Sequence, residues 1–201
     1  PVTGEEEWQA LRDPLMTGWL TSGPKVRAFE DLFAEKHQVK HAIAVTSATT
    51  ALHLALVAIG VGPGDEVIVP AFTWVSTANV VLYCGARVVF VDVDTSTFNM
   101  DPEDLKARLS PLTKAIIPVH LYGQPCAMDA ILAAARAHGL RVIEDAAQCH
   151  GARWRGRRIG AHGDAVAWSF YPTKNLGALA DGGAVTTADP AIAERIRVLR
   201  N

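Results

Sequence analysis

Short apolar runs alternate with helix-patterned segments along almost all of the 201 residues, and this alternation narrows the possible folds more than any other feature. "HAIAVTS", "DEVIVP", "ARVVFVDV", "KAIIPVH" and "RVIEDAA" predict strands, and "TTALHLALVAI", "STANVVLYC", "DPEDLKARL" and "MDAILAAARAH" predict the helices between them. A helix from about Pro24 to His37, with Val26, Phe29, Leu32 and Phe33 on one face, precedes the first strand. Two further strands, "DAVAWSF" and "GGAVTT", precede a last helix. Asp101-Pro102 and Asp189-Pro190 mark helix starts, since aspartate caps the free N–H groups and proline in the first turn gives up no hydrogen bond. Strands apolar on both faces, alternating with helices, imply an α/β fold with a mostly parallel sheet covered on both sides. In such sheets ligands bind beyond the carboxyl ends of the strands.

Composition limits the partners. Nineteen basic and twenty-one acidic side chains leave a formal charge of -2, so no general field draws the chain to nucleic acid or anionic lipid. Three cysteines, Cys84, Cys126 and Cys149, are odd in number and far apart, which matches neither a disulfide framework nor a C-x-x-C site. No apolar run reaches the length of a membrane span, and the opening "PVTGEEEW" is acidic where a signal peptide is basic and then apolar. The expectation is a soluble, cytoplasmic protein whose partners are small molecules or its own copies. The first twenty or so residues read as an arm. "AIAERIRVLRN" ends inside an amphipathic pattern with no stop signal, so the chain reads as part of a longer protein. No metal site is predicted, because only His37 and His41 share an i, i+4 spacing and they straddle a helix end.

Four strand ends carry polar residues that can meet in one crevice. Ser47, Ala48 and Thr49 lie between a buried strand and a buried helix, where N–H groups and hydroxyls suit a phosphate, although a plain N-cap explains the same residues. Asp145 ends an apolar strand, so its carboxylate needs a positive or hydrogen-bonding partner; it either meets a protonated ring nitrogen or caps the next turn. Trp74, after "DEVIVP", either stacks on a planar ligand or packs. In "SFYPTKNLGALADGG" Lys174 is the single charge between Asp164 and Asp181, with Trp168, Phe170 and Leu176 close by. An amine among apolar groups is biased to its neutral form, which attacks carbonyl carbon; the alternative is a lysine that reaches out to solvent. A phosphate cradle, a carboxylate for a ring nitrogen, an aromatic plate and a desolvated amine are together the parts that hold pyridoxal 5'-phosphate (PLP).

"SFYPTKNLGALADGG", "VIEDAAQCHGA", "PAFTWVSTANVV" and "TSATTALHLAL" closely resemble the nucleotide-sugar aminotransferases of the DegT/StrS family, and "GWLTSGPKVRAFE" is similar to that family's N-terminal segment. The resemblance implies a three-layer α/β/α large domain of the aspartate aminotransferase type. Residues 24–201 would form this PLP-binding domain behind an arm of residues 1–23, with a C-terminal small domain outside the chain. It further implies that Lys174 carries the cofactor as a Schiff base and that Asp145 partners the pyridine nitrogen. Trp74 would stack on the ring, Gln148 would lie near the ring hydroxyl, and Ser47, Ala48, Thr49 and Ser169 would surround the phosphate. The implied reaction moves an amino group from an amino acid, usually L-glutamate, to a keto sugar on a nucleotide diphosphate, in a homodimer whose active sites are shared.

Other readings are weighed on single residues. Dehydratases of the same family carry histidine where this chain has Lys174, which favours transamination. A short-chain dehydrogenase needs three residues between tyrosine and lysine, whereas "YPTK" has two, and no G-x-G-x-x-G opens a helix. A non-catalytic regulator would keep the same cofactor contacts and is separated only by turnover. "ARWRGRRIG" reads as a solvated hairpin, or as a place where one of Arg153, Arg155, Arg157 and Arg158 meets a nucleotide diphosphate.

Overall fold

The computed structural model describes residues 3–160 and 162–200. Helices α1 (Glu5–Thr17) and α2 (Pro24–His37) lead into β1 (His41–Val45), α3 (Ala48–Ala58), β2 (Glu66–Pro70), α4 (Ser76–Tyr83) and β3 (Arg87–Val91). There follow α5 (Pro102–Ala107), β4 (Thr113–Ile116), α6 (Met128–His138) and β5 (Arg141–Asp145). A small hairpin, β6 (Arg153–Trp154) and β7 (Arg157–Arg158), precedes β8 (Ala165–Ser169), β9 (Gly183–Thr187) and α7 (Pro190–Leu199).

Seven strands form one sheet in the order β1-β9-β8-β5-β4-β2-β3. Strands β3, β2, β4, β5 and β8 run parallel, while β9 is antiparallel to both β8 and β1. The carboxyl ends of β1, β2, β4, β5 and β8 therefore share one edge, where β9 begins.

Alternation of side chains along each strand divides the core. Ile43, Val67, Val69, Ile117, Ile143, Ala165, Ala167 and Val185 face α3, α4 and α7. Ile68, Ile116 and Val142 face α5 and α6, and Val166, Trp168 and Ala184 meet Phe33 of α2. Since Ile143 and Val142 point to opposite layers, Asp145 falls on the α3/α4 side and Glu144 on the other.

Local chemistry sets the boundaries. Asp101 accepts from Glu103 N–H at 2.9 Å and Asp189 from Ala191 N–H at 2.8 Å, so both expected caps form, each with proline as the first helical residue. β4 ends at Ile116, earlier than "KAIIPVH" predicts, because Pro118 has no N–H to give a ladder; its carbonyl still accepts from Asp145 N–H at 2.8 Å. The outer edge of β1 is closed by side chains: Ala44 N–H donates to Glu30 at 2.8 Å, the Ala44 carbonyl accepts from Arg200 at 3.2 Å, and Arg200 and Glu30 pair. Such blocking keeps an edge strand from pairing with another chain. α1 occupies much of the segment read as an arm and buries none of its residues.

Candidate active site

A cavity of about 670 Å³ lies at the shared strand edge, lined by residues that include Ser47, Ala48, Thr49, Trp74, Asp145, Gln148, Ser169 and Lys174. All eight residues singled out from the sequence thus meet in one place. Another cleft, about 780 Å³ between Trp19 and Arg200, shares no residue with the strand ends.

The end of β1 supplies the anion side. Ser47 is the N-cap of α3, and its Oγ accepts from Thr50 N–H at 3.1 Å. The N-cap alternative therefore describes the Ser47 side chain. It leaves the N–H groups of Ala48 and Thr49, which precede the first intrahelical bond, directed out of the helix end where its dipole favours negative charge. Thr49 Oγ1 donates to Ser76 Oγ at 3.0 Å, tying the start of α3 to that of α4. Gly183 makes the approach possible, because a Cβ there would lie 2.4 Å from Ser47 C and 2.8 Å from Ala48 N. Ser169, buried at the end of β8, accepts from Tyr171 N–H at 3.3 Å.

The end of β5 supplies the carboxylate. Asp145 is 5% exposed; Oδ1 accepts from Ala147 N–H at 3.1 Å and Oδ2 from Thr77 Oγ1 at 2.9 Å. Burial pushes this carboxyl above the ordinary carboxylate range, against the pull of Ala147 N–H, the Thr77 hydroxyl and the field of Lys174. Of the two sequence alternatives for Asp145, the structure shows the turn closed at Ala147. On the far face of β5, Glu144 Oε2 meets His120 Nε2 at 2.9 Å and Oε1 accepts from Gly163 N–H at 2.6 Å. Because Cys126 N–H donates to His120 Nδ1 at 3.0 Å, it is the Nε2 proton that faces Glu144. This buried set anchors the strand end that carries Asp145.

Gln148 is oriented by a strained turn. Tyr122 has φ +55°, uncommon for a bulky residue, and its N–H donates to Gln148 Oε1 at 2.8 Å. The amide NH₂ of Gln148 is left as the free donor group at the cavity. Trp74, at the entry to α4, is 74% exposed on the cavity wall.

Lys174 sits half-buried in the loop between β8 and β9, its N–H bonded to the Tyr171 carbonyl at 2.8 Å. Phe170 closes the loop base, donating to Gly182 O and accepting from Ala178 N–H, each at 2.7 Å. Gly177 lets the loop fold on itself, since a Cβ there would lie 2.5 Å from Pro172 O. Trp168 and Phe170 are buried beneath this loop, but Leu176 and Leu179 are exposed, so the apolar stretch around Lys174 is interior only in its first part.

Sequence reasoning missed Thr73 and Thr77, whose i, i+4 spacing in "TWVST" was the available signal, and it missed the turn at Tyr122, which has none. None of Arg153, Arg155, Arg157 and Arg158 lines the cavity; Arg155 pairs with Asp129 at 2.8 Å and Arg153 donates to Gly156 O at 2.7 Å.

A family model described as the DegT/DnrJ/EryC1/StrS aminotransferase family matches residues 1–201. The chain belongs to this family. GDP-perosamine synthase of Caulobacter vibrioides is 53% identical over 185 residues, covering 92% of this chain and 50% of that protein. The aminotransferase from Psychrobacter cryohalolentis superposes with a TM-score of 0.95 at 42% identity, covering 98% of this chain and 50% of that one. Spr1654 of Streptococcus pneumoniae, solved in its PLP form, gives a TM-score of 0.93 at 32% identity, covering 99% and 56%. The chain spans about half the length of the curated relatives it matches. The α/β fold with its mostly parallel sheet is the one the family's solved members share.

Proposed function

We propose that the protein is a PLP-dependent aminotransferase that moves an amino group from an amino acid, with L-glutamate the first candidate, to a keto sugar carried on a nucleotide diphosphate. The observation that carries this reading is the meeting of Lys174, Asp145 and the start of α3 in one cavity within an aminotransferase family. The nucleotide carrier is suggested by the relative named GDP-perosamine synthase.

The residues fit the cofactor. Asp145 is a buried carboxylate that lacks a cationic partner in direct contact, and a protonated ring nitrogen supplies one. Gly183 leaves main chain bare where a phosphate would meet the N–H groups of Ala48 and Thr49. A cavity of about 670 Å³ lies within the usual range for such ligands. When bound, PLP supplies an electron sink for charge that develops at the amino donor's alpha carbon.

The chain's own residues then divide the work. Ala48, Thr49 and Ser169 hold the phosphate, Trp74 covers one ring face, and the Gln148 amide donates from the other side. Asp145 holds the proton on the ring nitrogen. Lys174 Nζ would anchor the cofactor and, once released by the amino donor, would carry the proton from that alpha carbon to the cofactor's C4' carbon. We read residues 24–201 as the cofactor-binding domain and residues 1–23 as its arm. Trp74 and Tyr171 are exposed on the cavity wall, an apolar rim that a second copy would cover in a shared-site homodimer.

Borohydride reduction of the PLP-loaded protein, followed by peptide mass mapping, tests the assignment; the label is expected on Lys174, and a label on any other lysine overturns it. Spectral conversion of the bound cofactor by L-glutamate, followed by turnover with a nucleotide-linked keto sugar, separates an aminotransferase from a regulator that only binds.

A further inference from the structure

Asp145 is held by a chain of hydroxyl groups that leads back to the cavity wall. Thr77, in the first turn of α4, is fully buried, and its Oγ1 donates to Asp145 Oδ2 at 2.9 Å. Thr73, one turn earlier and on the cavity wall, has its Oγ1 3.0 Å from Thr77 Oγ1. A hydroxyl has one proton to give. An ionised Asp145 only accepts, so Thr77 commits its proton there and must accept from Thr73. A protonated Asp145 would turn the chain round, donating to Thr77, which would donate to Thr73. Ala147 N–H, 3.1 Å from Oδ1, can only donate and so favours the ionised sense. The titratable groups around the carboxylate are Lys174 on the cavity wall, His120 beyond β4, Glu144 on the opposite face of β5, and the buried Cys149 thiol, which burial and the neighbouring carboxylates hold protonated. His120 is engaged by Glu144 and Cys126, which leaves the two threonines and Ala147 as the groups bonded to Asp145 and its chain.

We propose that Thr73 and Thr77 are positioning residues that hold Asp145 as an anion, so that a proton shared with the cofactor's ring nitrogen stays on the ring. The proposal rests on the reading of Asp145 as the ring's partner. Hydrogen bonds to a carboxylate stabilise its ionised form and make it a weaker base. Without Thr77 the shared proton moves toward Oδ2, and the ring becomes a poorer acceptor of electrons.

Thr77→Val replaces the hydroxyl by a methyl group of similar shape, and Thr77→Ser keeps it. In cofactor-free protein the carbon-13 carboxyl signal of Asp145, identified by its loss in Asp145→Asn, is expected to titrate about one pH unit or more higher in Thr77→Val. Thr77→Ser restores the wild-type midpoint, and Thr73→Val moves it in the same direction by less. With cofactor labelled with nitrogen-15 in the ring, the signal shifts toward the neutral ring in Thr77→Val and not in Thr77→Ser. Equal midpoints in wild type and Thr77→Val overturn the proposal. A shifted midpoint with an unmoved ring signal overturns its cofactor part and, with it, the placement of Asp145 against the ring. Should Thr77→Val fail to fold, Thr73→Val, at a half-buried position, carries both readouts, and no movement in either overturns the proposal.

Discussion

Gly183→Ala adds a single methyl group at the point where β9 passes the start of α3. The new Cβ would lie 2.4 Å from Ser47 C, 2.6 Å from Ser47 O and 2.8 Å from Ala48 N. Against an optimum near 3.5 Å for carbon pairs, the closest contact is short by about 1 Å. All three atoms are main chain, so no rotamer relieves the clash. β9 cannot retreat easily, because Gly183 is paired with Val45 on one side and Ser169 on the other. The Ser47–Ala48 peptide must give way, and with it the N–H groups assigned to the phosphate. Overpacking of this kind costs about 1–3 kcal/mol, and a hydrogen bond to a charged group contributes about 1.5–3 kcal/mol. At 1.4 kcal/mol per tenfold, losing one such bond raises the PLP dissociation constant roughly tenfold to a hundredfold. Equilibrium binding followed by absorbance measures it, with pyridoxal, which lacks the phosphate, as the control. Pyridoxal affinity is expected to change by less than about threefold, since the mutation reaches only the phosphate end. If Gly183→Ala weakens PLP and pyridoxal equally, or neither, the phosphate does not sit at the start of α3.

Three other outcomes follow from named contacts. Burial holds the Asp145 carboxyl above its unfolded value, so the cofactor-free folded state binds that proton more tightly than the unfolded state; stability on this account is greatest at low pH and falls as pH rises from the unfolded value, near 3.9, to the folded one. Thermal unfolding of cofactor-free Asp145→Asn should therefore show a gain over wild type at pH 7 that shrinks toward pH 4, while its PLP affinity falls. Gln38 caps α2 with φ +56° and is exposed, so Gln38→Gly is expected to stabilise the protein by about 1 kcal/mol in chemical denaturation, with cofactor binding unchanged. Tyr122→Pro removes the N–H that orients Gln148 and cannot adopt the positive φ, so it should lower PLP affinity measurably in the same absorbance titration, whereas Tyr122→Gly, which keeps the N–H, should not.

What could be read in the sequence and what could not divide along a physical line. Strands and helix starts were legible because their causes are local, an apolar period and an Asp-Pro cap, although the early stop that Pro118 gives β4 was not read. Ser47, Ala48, Thr49, Trp74, Asp145 and Lys174 followed, since a parallel sheet forces its carboxyl ends to one edge and each was marked by its place beside an apolar run, whereas Gln148 and the phosphate role of Ser169 came from the family resemblance. Thr77 was marked only by its spacing from Thr73. Its importance arises from a contact 68 residues away in the chain with Asp145, and only the packing of α4 against α3, β2 and β3 brings it there. The same holds for Glu144, which alternation turns from its neighbour's cavity toward His120, and for Gly183, whose missing Cβ matters because β1 and β9 are paired antiparallel. The apolar stretch around Lys174 misled in the opposite way: Leu176 was read among its apolar neighbours but is exposed at the loop, as is Leu179. Trp74 and Tyr171, both exposed on the cavity wall, follow the composition of an interface more than that of a solvated surface. If that surface meets a second copy, residues from the partner complete the cavity, and dilution in analytical ultracentrifugation should release cofactor as the dimer separates. Tight cofactor binding by a monomer would show that the apolar rim serves something else.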